Sequence, residues 1–545
     1  MTVTQQIRER DSKVLDILGK IGRGSLRLIG QLAGLSKDAV KRAFQSLDKR
    51  QAYPESLLWQ MEAGREWLCR LVIAVLLDFG IKDGIGAERL SRFFHRIHLE
   101  KEVGVSETAL LRLMHRLEER VIEYGRLQES GQTGKTREII LGGDETFFAD
   151  MMLLVAMELS SGYLFLEEPA PNRSFETWSE RLDNRLKFLG CHVRHFVSDR
   201  AKALIKLAMD GLGCCSGADL FHAQQDLTHW LGAGFWRKLG AAQKAVSQAR
   251  SKVQAMGIDA NTLGTARQTP ALKAVEELAR VEAEQKRLEQ GKEKFRGLLH
   301  GISKVLHPFS LTGKQQDAPQ VAQELHTQTQ ALAALGEEYA IPDKSGKLGK
   351  FTRQIGDLVS GIDAWWLWVA IAIESLKLSA EQTDWVRDCL LPKVYWEQQA
   401  ARADTPELRS AYQAAYQAAK AVWQAHPLTA KLPEIEIQRC HLWAEQMSRR
   451  FQRTSSAIEG RNGYLSRIYQ NGRGLGATRI RAVGVVHNFD TYRADETTPA
   501  ERLFGTRFPD LFEWLLQDIG SLPLPRAARK NDRCAKPLIL QTVAA

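Results

Sequence analysis

The chain has 545 residues, 44% apolar and 26% charged, which is ordinary globular usage and excludes wholesale disorder or a fibrous repeat. Lys and Arg total 75 against 65 acids, and the net charge of +10 points towards a polyanionic partner. The longest apolar runs, 71–77 and 364–373, fall short of the roughly 20 residues that span a bilayer, so no membrane association is expected. Residues 1–10 carry no signal-peptide core, and the seven cysteines include no C-x-x-C pair, so a reduced cytoplasmic compartment is expected. A length several times that of a typical domain predicts several domains.

Residues 1–130 read as helices. Within 24–44, Leu28, Leu32 and Ala33 keep helical spacing, Gly34 ends the helix, and Ser36 caps a second one that carries Lys37, Lys41 and Arg42 outward. This is helix-turn-helix chemistry. A long apolar helix is predicted over 57–79. A second helix-turn-helix unit follows, with helix 87–97, a turn at 103–105, a Ser106 cap, and helix 107–119 exposing Arg112, His115 and Arg116. Residues 125–136 read as a Gly/Gln/Ser/Thr linker.

Past the linker the period changes. Strands are predicted at 137–141, 151–159 and 163–168, with a hairpin turn at Ser160-Ser161-Gly162. A helix opened by Asn172 or Ser174 puts Phe175, Trp178, Leu182, Leu186 and Leu189 on one face. Strand 191–198, helix 201–209 and strand 218–222 complete an α/β layer pattern over 137–226. Residues 227–435 show almost no β signal and read as an all-helical insertion, with a charged helix at 272–294 and a Trp-rich buried helix at 362–376. Helices return at 438–451 and 455–469 within a 436–495 segment, and 496–545 is a Pro-containing tail. Between Arg439 and Arg481 there are nine Arg and no Lys, against only Glu445 and Glu459. That balance suits phosphate contact.

Asp144 and Asp199 each lie at or just beyond the predicted end of an apolar strand. Two carboxylates converging on one sheet edge are unfavourable unless a cation neutralises them. Mg²⁺ takes hard oxygen ligands and keeps water or phosphate in its other positions. Glu459, near the start of the 455–469 helix, is the candidate third carboxylate, with Glu445 its rival. Arg461, Asn462 and Arg467 surround it, and these donors suit a phosphate backbone. Arg453 and Arg473 flank them. Glu145 and Asp150 read as surface or supporting residues. Cys214 and Cys215 read as core positions, not zinc ligands. Trp365, Trp366 and Trp368 likewise read as core, not as a base-stacking platform.

This element order, with Asp144 and Asp199 at strand ends and Glu459 on a late helix, resembles the DDE transposases of bacterial insertion sequences. Residues 498–504 and 508–514 also look like the end of such enzymes. The resemblance covers about 137–226 and 438–515. It implies an α/β ribonuclease H-like core with a mixed five-stranded sheet, interrupted by a large all-α insertion and preceded by an all-α helix-turn-helix region. It implies that Asp144, Asp199 and Glu459 bind two Mg²⁺ ions, with Mn²⁺ able to replace them, and that His222, on the strand after Asp199, steadies the site or touches the scissile phosphate. It implies cleavage at transposon ends and 3′-hydroxyl transfer into target DNA, by a homodimer or larger assembly on paired ends near the nucleoid. Some relatives carry Tyr, Arg and Lys at fixed offsets around the Glu, whereas Ser455 and Ser466 stand four before and seven after Glu459. Two alternatives stay open: a sequence-specific DNA-binding protein with an inactive core, and a ribonuclease H-like nuclease without strand transfer.

Overall fold

The computed structural model describes residues 3–50, 59, 62–148, 151–256, 269–471 and 474–525. The first three helices, α1 (Val3–Ile21), α2 (Leu26–Ala33) and α3 (Lys37–Arg50), close on their own small core of Val14, Leu18, Ile29, Val40 and Ala43. The Ser25 hydroxyl accepts from the Leu28 amide, Gly34 turns the chain at φ +66°, and the Ser36 hydroxyl accepts from the Ala39 amide. The buried face of α2 is the one carrying Ile29 and Gly30. Leu28 and Leu32, which the spacing assigned to one helical face, point to solvent.

Helices α4 (Glu62–Val75), α5 (Ala87–Arg96) and α6 (Glu107–Ser130) follow. Ser106 caps α6 as expected, accepting from the Ala109 amide. The helix then continues through 125–130, where the composition predicted a linker. Gly125 permits this, because a Cβ there would sit 2.7 Å from the Val485 side chain. The residue serves a close helix contact, not a flexible joint.

The sheet contains β1 (Arg137–Phe148), β2 (Met151–Glu158), β3 (Tyr163–Pro169), β4 (Cys191–Ser198) and β5 (Cys215–Ala218) in the order β3-β2-β1-β4-β5. β2 is antiparallel to both β1 and β3, while β4 runs parallel to β1 and to β5. Continuous burial along Leu153–Met157 shows that both faces are covered. Helix α7 (Phe175–Phe188), capped by Ser174, joins β3 to β4 and buries Trp178, Leu182 and Leu186. After β5 the strand expected to reach residue 222 has already ended. The Asp219 carboxylate accepts from the Phe221 amide and starts helix α8 (Leu220–Leu227), so His222 sits on a helix.

The described part of 227–433 contains helices and no named strand. They include α9 (Ala233–Ala255), α10 (Thr269–Val305), α11 (Ala318–Glu338), α12 (Lys347–Ile373), α13 (Leu391–Arg402) and α14 (Pro406–Ala425). By length and composition, Lys347–Leu376 is the one candidate membrane span among the described residues. In the fold, Phe351, Ile355, Ile362, Trp365 and Trp368 of α12 are buried. The indoles of Trp365 and Trp366 donate to the carbonyls of Met447 and Gln316, which makes them core residues as the sequence suggested. Helices α15 (Glu434–Arg449), α16 (Ser456–Gln470), α17 (Ala477–Asp490), α18 (Pro499–Phe504) and α19 (Leu511–Asp518) complete the described chain. α16 packs on β1 and β2, and α17 on β3 and α6. The architecture is thus an α/β core with a mixed five-stranded sheet, joined to extensive helical regions.

Candidate metal centre

Asp144 lies within β1, not at its end. It faces Val155 of β2, and β1 continues four residues further. The Gly142-Gly143 pair, which reads locally as a strand stop, instead clears room on both faces. A Cβ at Gly143 would meet the Phe196 ring at 2.5 Å, and one at Gly142 would lie 2.7 Å from Leu159 and 3.0 Å from Ile458. That second approach seats the first turn of α16 against β1 and brings Glu459, the neighbour of Ile458, to the same sheet face.

Asp199 follows β4. The parallel register ends with Gly142 opposite Val197, and Asp199 comes immediately after the last residue of β4, close enough for its charge to raise the Asp144 carboxyl. The Asp199 carboxylate, however, accepts from the Ala201 amide at 2.8 Å. Between Asp199 and Ala201, Arg200 is held at φ +68°, a left-handed conformation unfavourable for a residue that carries a Cβ. Its amide donates to the Ser198 hydroxyl, and its guanidinium to Ser216 and to Asp357 of α12.

The ligand atoms that meet are those of Asp144, His222 and Glu459, all within 4.8 Å of one another. Asp199 is not in this trio, and His222 takes the place expected for it. His222 Nε2 is 3.4 Å from Glu459 Oε1 and 3.9 Å from Asp219 Oδ2, and it is buried with no hydrogen-bond partner. The Asn462 amide donates to Asp144 Oδ2 at 3.2 Å, while its own Oδ1 is buried and unpartnered. Burial and the Glu459 charge push the Asp144 carboxyl up to about 7; His222 opposes this and Asp199 adds to it. Two oxygen donors and one imidazole around a single point, carrying uncompensated negative charge, fit one divalent cation. Glu145 points to the opposite sheet face. Its side chain is 3% exposed, 3.8 Å from Arg173, and burial followed by the Asp199 charge raises its carboxyl.

Two residues that the sequence reading passed over hold this arrangement. Asp219 is buried, and its Oδ2 accepts from both the amide and the hydroxyl of Ser455. In addition, the Leu220 amide donates to the Arg453 carbonyl at 3.0 Å. The start of α8, with His222, is therefore clasped to the start of α16, with Glu459. The signal was present in Ser455, noted only as a departure from relatives, and in an acid placed where a helix N-cap belongs.

The proposed phosphate contacts divide. Arg461 is buried and forms a two-pronged ion pair with Glu167, at 2.7 and 2.6 Å, so it is structural and closed to DNA. Arg453 donates to the carbonyls of Ser303 and Leu306 and to the Tyr412 hydroxyl, which fixes it inside the helical region. Asn462 serves Asp144. Arg467 is exposed, 6.0 Å above the Tyr464 ring. Lys37, Lys41 and Arg42 are exposed on α3, and Arg112 and Arg116 on α6, where they border an open hollow with Glu107 and Glu119. Arg473 and Asp150 lie outside the described residues. Glu445 is paired with His441 at 3.9 Å and is not part of the trio.

No curated protein matches the chain. A protein-family profile described as a family of unknown function (DUF6399) matches residues 386–531, a stretch that contains Ser455, Glu459 and Asn462 but neither Asp144 nor His222.

Proposed function

We propose that the chain is a metal-dependent phosphodiester-cleaving enzyme acting on DNA, with a ribonuclease H-like core, and specifically a DDE-type transposase. The observation that carries this reading is the convergence of Asp144, His222 and Glu459, from β1, α8 and α16, within 4.8 Å of one another. The β3-β2-β1-β4-β5 order, with β2 alone reversed, is the one expected for such a core. The exposed basic faces of α3 and α6 suit recognition of DNA ends, and paired ends would call for two or more copies.

Asp144, Glu459 and His222 would hold the cation, Mg²⁺ or Mn²⁺, which would supply Lewis-acid polarisation at phosphorus and charge neutralisation. Asn462 orients Asp144 through its amide. Asp219 and Ser455 hold His222 and Glu459 at one spacing, so the site is positioned before any ligand enters. Asp199 adds negative charge beside Asp144.

The test is cleavage of DNA by the purified chain with and without Mg²⁺ or Mn²⁺, alongside Asp144→Asn and Glu459→Gln. Nicking that needs the metal and both carboxylates supports the reading, and joined DNA products separate a transposase from a simple nuclease. Cleavage that survives either substitution in folded protein overturns it. A second reading, a DNA-binding protein with an inactive core, is favoured by one observation: Asp199 spends an oxygen on the Ala201 amide and stands outside the trio. It predicts DNA binding that is indifferent to divalent cations.

A further inference from the structure

Asp199 stands outside the trio, and the cause lies one residue further on. Arg200 carries a Cβ yet sits at φ +68°, so its surroundings must hold it there. Its amide donates to the Ser198 hydroxyl at 3.2 Å. Its Nη1 donates to the Ser216 carbonyl at 2.9 Å and to the Ser216 hydroxyl at 3.2 Å, both on β5. Its Nη2 lies 2.9 Å from Oδ2 of Asp357 on α12. The turn held in this way leaves Asp199 Oδ1 on the Ala201 amide at 2.8 Å.

Asp357 reaches Arg200 from a fixed base. It lies one helical turn before Gly361, so the two residues share a face of α12. Gly361 is where α12 comes down on the sheet: a Cβ there would lie 3.2 Å from His195 Nε2. The same nitrogen would lie 2.4 Å from a Cβ on Gly217 of β5. His195 is buried on β4, four residues before Asp199. Two glycines thus set the distance of α12 from β4 and β5 by close backbone approach. The side chains of Arg200 and Asp357 are 18% and 35% exposed, so their ion pair is partly shielded from water.

We propose that Arg200 is a positioning residue through which α12 sets the reach of Asp199. The Arg200–Asp357 pair keeps the 199–201 turn closed with Asp199 on the Ala201 amide. Loosening the pair frees that carboxylate to join a divalent cation held by Asp144, His222 and Glu459. The proposal rests on the cation reading of that trio. The backbone favours the move, because leaving the left-handed region relieves strain. The move breaks one bond to an amide of a half-buried residue, where water can replace it. The helical region thereby governs how many carboxylates meet the cation, and affinity for a hard cation follows that number.

The experiment uses the full chain with Mn²⁺ as the probe, read by calorimetry and electron paramagnetic resonance. Asp357→Asn keeps a polar side chain on α12 and removes the charge that holds Arg200. It should tighten Mn²⁺ binding about tenfold, whereas Asp357→Glu should stay near the wild-type value. In an Asp199→Asn background the gain should vanish, because the effect runs through that carboxylate. Hydrogen exchange gives a second readout: adding Mn²⁺ should speed exchange of the Ala201 amide in Asp357→Asn more than in the wild type. Arg200→Gly, which adopts φ +68° without strain, breaks the same contact from the other side and should also tighten Mn²⁺ binding. Unchanged or weaker binding in folded Asp357→Asn and Arg200→Gly overturns the proposal, as does a gain that persists beside Asp199→Asn. In either case wild-type binding that is lost in Asp144→Asn leaves the metal centre standing. Absence of Mn²⁺ binding in both the wild type and Asp357→Asn overturns the metal centre, and this proposal with it.

Discussion

The candidate metal centre and the His307 cluster are two polar groups of opposite kind, the first partly buried and the second fully so. His307, fully buried near the end of α10, has both ring nitrogens engaged: Nδ1 with the Tyr395 hydroxyl and Nε2 with the Tyr412 hydroxyl. Tyr412 in turn donates to the Ser303 carbonyl and accepts from Arg453. That leaves His307 Nε2 as the donor and Nδ1 as the acceptor in a neutral ring, and burial followed by the Arg453 charge holds its pKa well below the usual histidine value. At the candidate metal centre the same accounting fails: His222 Nε2 and Asn462 Oδ1 have no hydrogen-bond partner, and Asp144 and Glu459 repel each other. A satisfied network specifies a fold, whereas one left incomplete is shaped for something that arrives from outside. The contrast is sharper because one short segment, Arg453 to Ser455, serves both.

The largest expected difference is in activity. Asp144→Asn or Glu459→Gln should lower metal-dependent DNA cleavage by at least about a hundredfold, as loss of a charge that directly holds the reacting centre does. His307→Phe should change the rate per folded molecule little, as measured by single-turnover nicking. If His307→Phe abolishes cleavage in folded protein, the division between the two regions is wrong.

Next comes cation affinity. Asp219→Ala removes the side-chain clasp, and Ser455→Ala its hydroxyl bond while the amide bond stays, both without touching a ligand atom; the first should weaken Mn²⁺ binding about ten- to a hundredfold in calorimetry or electron paramagnetic resonance and the second less. Asp219→Asn keeps one acceptor and should recover part of the loss. Equal affinity in all three would show that the sheet alone sets the spacing of His222 and Glu459.

Stability should move in opposite directions. Holding a carboxyl at about 7 that would otherwise titrate at 3.8 costs the metal-free fold on the order of 4 kcal/mol at neutral pH, so Asp144→Asn should raise the denaturant midpoint. His307→Phe strands two tyrosine hydroxyls and should lower stability by about 2–4 kcal/mol. A metal-free Asp144→Asn variant less stable than the wild type would contradict the picture of uncompensated charge.

The smallest effect is the response to acid. Asp144, raised in the fold, penalises the metal-free protein above its unfolded value of 3.8, and this penalty fades as pH falls from about 7. Burial lowers His195 to about 4, and burial with the Arg461 charge lowers His487 to about 3. Their stabilisation is complete above about 6.5 and is lost as pH falls below it, by up to about 1.4 kcal/mol per pH unit for each ring. Urea midpoints should therefore show the advantage of Asp144→Asn over the wild type shrinking between about pH 7.5 and 5. His195→Leu should flatten the acid side of the wild-type profile.

Strands β2, β3 and β4 and the caps at Ser36 and Ser106 were legible in the sequence because periodicity and capping act over a few residues. Gly142-Gly143 misled because the need for glycine comes from Phe196, Leu159 and Ile458, which are remote or lie on other elements. His222 was assigned to a strand because the cap that starts α8 is an Asp whose other oxygen goes to Ser455, 236 positions away. Arg453 and Arg461 read as phosphate ligands because Ser303 and Glu167, which engage them, are 150 and 294 positions distant. Local pattern reports that a charge exists; it does not report that the fold has already neutralised it.

The bond from the Leu220 amide to the Arg453 carbonyl, with Ser455 on Asp219 beside it, makes a neck where the chain leaves the sheet and returns. Everything between is a looped excursion whose two ends are stitched together at its base. Because closing a longer loop adds only about 0.6 kcal/mol for each doubling of length, residues added within the excursion, away from the Arg200–Asp357 and Arg453–Ser303 contacts, would cost little in closure entropy. The neck lets the gap between the imidazole on one side and the carboxylate on the other be set locally, whatever length of chain lies between.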